Sequence, residues 1–172
     1  MNELMRHVRT IADFPSPGVQ FRDLTPLMAD AAALRAAIEQ LCAPFRADAI
    51  ALVAGIEARG FIFGALAARE LGAGFVPLRK PGKLPGQVES VSYALEYGSA
   101  SLEIHSDALE RGARVLLVDD VLATGGTAAA ATQLLQRLGA QVAGFAFLLE
   151  IGVLDGRARL PSGLHAHSVL QV

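Results

Sequence analysis

VLLVDDVLATGGTAAA, residues 115–130, runs from four apolar residues into two adjacent acids, then into a turn of glycine and threonine, then into alanines. An unbroken apolar run of this length is the pattern of a strand buried on both faces, since a strand with one wet face alternates. The alanine-rich stretch predicts a helix over residues 126–138, closed by Gly139. A buried strand that turns directly into a helix is the repeating unit of a parallel sheet covered by helices. The same alternation extends outward: residues 49–54 predict a buried strand, 60–71 a helix stopped by Gly72, 74–78 a strand and 142–149 another. Asp30 predicts the N-cap of a helix reaching Leu41, with Leu34, Ile38 and Leu41 on one face. Residues 88–97 and 101–105 predict an antiparallel hairpin around Gly98. Upstream, residues 2–11 predict a short helix, and residues 13–26, punctuated by Pro15, Pro17, Gly18 and Pro26, an irregular loop. The expected class is α/β: a central, mostly parallel sheet flanked by helices, interrupted by a flexible antiparallel flap and preceded by a small N-terminal appendage.

The chain of 172 residues suits one domain, and 52% apolar residues can supply its core. The longest apolar runs, residues 49–56 and 142–149, are of strand length and stop at glutamates, so no membrane association is expected. The N-terminus, MNELMRHVRT, carries charges where a secretory leader needs an apolar stretch. Cys42 is the one cysteine; it has no internal disulfide partner, sits in an apolar helical pattern as core filler, and fits a cytoplasmic protein. A net charge of −2 argues against nucleic acid as a partner. The four histidines, His7, His105, His165 and His167, lack metal-ligand spacing and are read as structural or surface residues. Of fifteen basic residues, thirteen are arginine, and both lysines, Lys80 and Lys83, fall in the Gly/Pro loop at residues 79–87.

Ligands of open parallel sheets bind beyond the carboxyl ends of the strands. At such an end, glycines let backbone N–H groups approach a phosphate, Thr124 and Thr127 add hydroxyl donors, and the following helix N-terminus supplies a favourable dipole. Ala123, Thr124, Gly125, Gly126 and Thr127 are therefore read as a phosphate cradle. Asp119 and Asp120 repel a phosphate, but they suit the vicinal hydroxyls of a sugar, either directly or through Mg²⁺ and water. The plain alternative is a helix-capping turn with incidental acids, which leaves two costly carboxylates without a partner. Residues 55–60 match the first half of a P-loop, but Phe61 stands where its lysine belongs, and no dinucleotide fingerprint follows a strand.

VLLVDDVLATGGT resembles the phosphoribosyl-pyrophosphate motif of type I phosphoribosyltransferases. FPSPGVQFRDLTPLM (14–28), GIEARGFIFG (55–64) and the segments RKPGKLPG and YALEYGSASLEIHSDAL (79–86 and 93–109) resemble the branch of that family that uses adenine. The resemblance implies one phosphoribosyltransferase domain over residues 1–172, with a base-recognition hood at 1–30 and a flexible flap at 79–106. It implies transfer of the 5-phosphoribosyl group of 5-phosphoribosyl 1-diphosphate to adenine, giving AMP and diphosphate. Mg²⁺ would travel on the diphosphate without a direct protein ligand, and the enzyme would act as a homodimer. Asp119, Asp120 and the cradle would hold the ribose 5-phosphate. The loop of Glu57, Ala58 and Arg59, often carrying a cis peptide, would hold diphosphate together with Arg79, Lys80 and Lys83. A guanidinium grips a diphosphate through paired bonds, whereas compact ammonium groups suit a departing one. Glu96 would assist at the purine ring, as acid or base or only electrostatically, and Tyr97 would close the flap against water. Phe21 would stack on the base, backbone around Gln20 and Arg22 would read its edge, and Val121 would pack on the opposite face. Arg22 has an alternative role, tying the hood to the body. Another base (hypoxanthine, guanine, xanthine or orotate) and a non-catalytic regulator are the rival readings, the latter lacking a visible DNA- or RNA-binding region.

Overall fold

A computed structural model describes residues 2–94 and 99–172. Its centre is a five-stranded sheet in the order β4-β3-β7-β8-β9, every neighbouring pair parallel. The strands are β3 (Leu52–Ile56), β4 (Gly74–Leu78), β7 (Arg114–Leu122), β8 (Gln141–Glu150) and β9 (His165–Gln171). Helices α2 (Ala31–Cys42), α3 (Gly60–Leu71) and α4 (Gly126–Arg137) cover its faces, after a short α1 (Thr25–Ala29). Two smaller antiparallel ladders complete the chain, β1 (Arg9–Ala12) with β2 (Gln20–Asp23), and β5 (Val88–Ala94) with β6 (Ser99–His105).

The unbroken apolar runs are explained by two cores on opposite faces of the sheet. Val53, Leu116 and Val118 pack with Ile38, Leu41, Phe45 and Phe63 on the side of α2 and α3. Ala54, Val115 and Leu117, one residue out of phase, pack with Leu134, Leu135 and Phe147 on the other side. The β5–β6 hairpin adds Val91, Leu102 and Ile104 to this second core, so its base is built into the body. Backbone bonds between Arg79 and Glu103, at 2.9 and 2.7 Å, join the end of β4 to β6.

Several expectations need correction. The segment expected as a helix over residues 2–11 is a 3-10 turn at Glu3–His7 followed by β1. Part of the expected irregular loop is β2, which pairs Thr10 with Arg22 and Ile11 with Phe21. The β-branched Thr10 and Ile11 fit a ladder better than a helix, and Asp13 Oδ1 accepts the Gly18 N–H at 2.7 Å to close the hairpin. β7 continues four residues past the expected end, carrying Asp119 and Asp120 inside the strand. β9 lacks a continuous apolar run and had no strand signal of its own. The Asp30 cap stands as expected, its Oδ1 accepting from Ala32 and Ala33 N–H at 3.0 and 2.9 Å.

Asp23 anchors the N-terminal hairpin. It accepts from Thr25 N–H at 2.9 Å, from the Thr25 hydroxyl at 2.9 Å and from Arg9 Nε at 3.0 Å. The Thr25 amide first, then Arg9, lowers its carboxyl from the ordinary 3.8 to about 2. A lowered pKa stabilises the folded state fully above the ordinary value, and the gain disappears as pH falls through the folded value. Asp23→Asn should therefore lower the thermal midpoint at pH 5 to 8, with the gap to the parent closing between about pH 4 and pH 2. A gap independent of pH in paired melts would contradict this anchoring role.

Candidate active site

Strand order reverses between β3 and β7: β3 leads outward to β4, and β7 leads the opposite way to β8 and β9. Loops leaving such neighbours diverge and open a crevice at the carboxyl ends. That crevice is a cleft of about 780 Å³ lined by Glu57, Ala58, Arg59, Lys80, Asp119, Asp120 and Thr127, with Tyr93 and Ser101 from the hairpin. A smaller cavity of about 70 Å³ beside it is lined by Asp119, Val121, Ala123, Thr124, Gly125 and Thr127. Two segments more than fifty residues apart in sequence are thus brought together, because Gly55 pairs in register with Val118.

The cradle depends on Gly125, which caps α4 at φ +77, a left-handed conformation that glycine adopts without a Cβ clash. Gly126 is the first residue of α4, so the helix start faces the loop. Thr127 Oγ1 donates to Tyr93 Oη at 3.3 Å, tying the hairpin to the cradle. Tyr93 was not singled out from sequence. The alternation Val91, Tyr93 on one face of β5, with Val91 in the core, is the signal that marks it.

The two acids differ in setting. Asp120 is buried and ion-paired through Oδ2 with Arg59 Nε, an oxygen that no donor meets in hydrogen-bond alignment. Asp119 stays open to the cleft at its edge, and its Oδ1 accepts the Asp120 N–H at 2.9 Å. Burial first, and then the charge of Asp120, pushes the Asp119 carboxyl well above the ordinary carboxylate range. The surrounding protein leaves room for Asp119 only because residue 60 is glycine. A Cβ there would stand 2.7 Å from Asp119 Oδ1 and 3.2 Å from the Val118 carbonyl oxygen.

The Glu57–Ala58 peptide is cis. Glu57 turns its carboxylate to the lysine loop: Lys80 N–H donates to it at 2.9 Å, and Arg79 Nη2 and Nε reach it at 3.3 and 3.4 Å. The Lys80 amide first, then Arg79, holds this carboxyl below its ordinary range. Arg79 also donates to the Lys83 carbonyl at 3.0 Å and lies over the Phe61 ring. Lys80 lines the cleft, whereas the Lys83 side chain is exposed and is not part of that lining among the described residues.

Phe21 lies under the Arg59 guanidinium, 5.6 Å from ring centre to Cζ, and meets Phe14 edge-on at 5.1 Å. Arg59 thus connects the N-terminal hairpin to Asp120. Arg22 Nη1 donates to Thr10 Oγ1, its cross-strand partner, so it braces the hairpin itself. Among the described residues that bond, and no ion pair to the body, is what engages the Arg22 guanidinium. Gln20 is exposed on β2 and Val121 is half-buried on β7 beside the cradle. Glu96 and Tyr97 lie outside the described residues. Among the described residues there is no cluster of three or more His, Cys, Asp or Glu able to hold a metal, and no helix is long and apolar enough to cross a membrane.

Comparison with known proteins places this geometry in context. A family model for the phosphoribosyl transferase domain matches residues 23–161. The chain is 61% identical over 170 residues to the adenine phosphoribosyltransferase of Methylococcus capsulatus, covering 99% of each. The crystal structure of adenine phosphoribosyltransferase from Rhodothermus marinus superimposes with a TM-score of 0.94 at 53% identity, covering 98% of this chain and 96% of that one. The Saccharomyces cerevisiae adenine phosphoribosyltransferase, solved with an imino-altritol bisphosphate and adenine, superimposes with a TM-score of 0.92 at 38% identity, covering 98% and 97%.

Proposed function

This chain belongs to the phosphoribosyltransferase family, and on that premise we propose that it transfers the 5-phosphoribosyl group of 5-phosphoribosyl 1-diphosphate to adenine, giving AMP and diphosphate in purine salvage. The observation that carries this reading is the meeting, at one switch point, of a glycine-threonine cradle, two sheet-end carboxylates and a cationic loop. The curated relatives it matches over nearly their full length are adenine phosphoribosyltransferases.

The cradle of Ala123, Thr124, Gly125, Gly126 and Thr127 receives the 5′-phosphate on backbone N–H groups and hydroxyls. Asp119 and Asp120 hold the ribose diol. Adenine N9 attacks C1′ as the bond from C1′ to the diphosphate oxygen breaks, and the N9 proton passes to Glu96 or to water. Positive charge accumulates on the ribose in this step, and the paired carboxylates would oppose it. Ala58, Arg59 and Lys80 line the cleft that receives the departing diphosphate, while Glu57 holds Arg79 and the lysine loop in place. Phe21 offers its ring to the base, with Gln20, Arg22 and Val121 completing the base site. Mg²⁺ would travel on the diphosphate, completed by water and substrate oxygens without a direct protein ligand, and would neutralise the charge of the leaving group.

Glu96 would assist at the purine ring and Tyr97 would close the flap (79–106), the hood would span residues 1–30, and the whole would form one domain over 1–172. The exposed Lys83, which does not line its own cleft, supports a homodimer in which this side chain serves the cleft of the other subunit. A lone buried cysteine supports a cytoplasmic setting. Incubation with labelled phosphoribosyl diphosphate, Mg²⁺ and each of adenine, hypoxanthine, guanine, xanthine and orotate tests the reading. AMP from adenine alone is expected; preferential product from another base would overturn the assignment.

A further inference from the structure

The segment after β8 carried no site signal in the sequence, yet it is packed against the phosphate cradle. Gly156 is buried in a 3-10 turn at Gly156–Arg159. A Cβ on Gly156 would collide with the Ala123 carbonyl oxygen and stand 3.0 Å from Leu122 Cδ1. A Cβ on Gly125 would collide in turn with the Gly156 carbonyl oxygen and stand 3.2 Å from Arg159 Cβ. Two backbones therefore meet directly, with no side chain between them to absorb a displacement.

Arg157 holds this turn in place. Its Nε and Nη2 donate to the two carboxylate oxygens of Glu150, at 2.7 and 2.6 Å, where β8 ends. Its Nη1 donates to the Ala166 carbonyl at 2.7 Å, and Nη2 also reaches Ser168 Oγ at 3.3 Å on β9. Glu150 is 7% exposed and also receives Gln171 Nε2 at 3.4 Å. The start of the segment is pinned as well, Ile151 N–H to the Leu122 carbonyl at 2.9 Å and Gly152 N–H to the Val172 carbonyl at 2.8 Å. A forked guanidinium on a buried carboxylate fixes direction as well as distance.

We propose that the Glu150–Arg157 clamp is a positioning device for the phosphate cradle: it seats Gly156 beneath Ala123 and Gly125 and thereby sets where the loop N–H groups meet the 5′-phosphate. The inference rests on the proposed function, and it makes Gly156 and Arg157 positioning residues that touch no substrate. A close-packed contact moves as a unit, so pushing Gly156 outward shifts the loop while the base site, on the N-terminal hairpin, stays put.

Gly156→Ala and Arg157→Lys test it, with Val153→Ser as the control, since Val153 is 89% exposed in the same segment. Ribose 5-phosphate and adenine are titrated separately by calorimetry, and KM for phosphoribosyl diphosphate, KM for adenine and kcat are measured beside them. Both clamp variants should weaken ribose 5-phosphate binding and raise KM for phosphoribosyl diphosphate about ten-fold or more. Adenine affinity and the Val153→Ser enzyme should stay within about two-fold of the parent. If Gly156→Ala does not fold, Arg157→Lys, which keeps the charge but loses the fork, carries the comparison. Unchanged ribose 5-phosphate binding in a folded clamp variant overturns the proposal. So does an equal loss for both ligands that follows the unfolded fraction, which marks a merely structural role. A parent protein that binds ribose 5-phosphate but forms no AMP overturns the transferase reading instead, and the clamp is then decided by the binding data.

Discussion

Replacing Asp119 and Asp120 together by Asn is expected to lower kcat/KM for AMP formation about a thousand-fold, ~4 kcal/mol of transition-state stabilisation. Asn keeps the size and one acceptor oxygen of each side chain but removes the carboxylate that, in the proposed reaction, opposes the growing positive centre on the ribose. The loss should fall mainly on kcat, because the interaction strengthens as that charge develops. Stability should move differently. Asp119 is half-buried beside a second carboxylate, and both effects disfavour its charged form. A raised carboxyl pKa costs the folded state stability at pH values above the ordinary one, so neutralising the group removes that cost. Asp119→Asn alone should therefore melt at or above the parent's temperature at neutral pH while its turnover collapses. Asp120→Asn leaves Arg59 without its ion-pair partner and should not share that gain. Steady-state kinetics and paired thermal melts check both statements, and retained turnover in the double variant would remove these residues from the mechanism.

Gly60→Ala is the second large effect. The added methyl would meet Asp119 Oδ1 at 2.7 Å, the Val118 carbonyl oxygen at 3.2 Å and Asp119 Cα at 3.3 Å. The latter two belong to the central strand β7, hydrogen-bonded on both sides, so the start of α3 must yield. That movement carries Arg59 with it and presses on Asp119, disturbing both halves of the cleft. A displacement of this kind lowers kcat/KM by about a hundred-fold, and overpacking costs about 1–3 kcal/mol of stability. The better helix propensity of Ala returns a part of that. Gly64→Ala, a turn further along α3, meets Phe75 Cε2 at 2.9 Å and Gly55 Cα at 3.2 Å, away from the acids. It should cost comparable stability in urea titrations but much less activity. Equal losses of activity in the two variants would reduce Gly60 to a packing residue.

Much of this architecture was legible in the chain itself. The run from Val115 to Val118 announced a doubly buried strand because neither face of β7 is wet, and the two cores confirm why. Gly72 and Asp30 marked helix ends because left-handed backbone and orphan N–H groups are local demands that particular residues meet. The N-terminal hairpin was not legible between residues 2 and 26, where short polar strands carry no periodicity strong enough to compete with proline and glycine punctuation. β9 was missed for the same reason, since its ladder comes from β8 and not from its own apolar pattern.

By itself the sequence determined the order of strands and helices from α2 to β8, the acids at the end of β7 and the glycine-threonine turn after them. Those follow from burial periodicity and backbone geometry, which act over a few residues. Only the tertiary structure decided that Arg59 pairs with Asp120 and lies over Phe21, that Glu57 faces the lysine loop, and that Gly156 lies against the cradle. These partners lie from about twenty to more than sixty residues apart in the chain, and parallel crossover and close packing choose them, which no local pattern encodes.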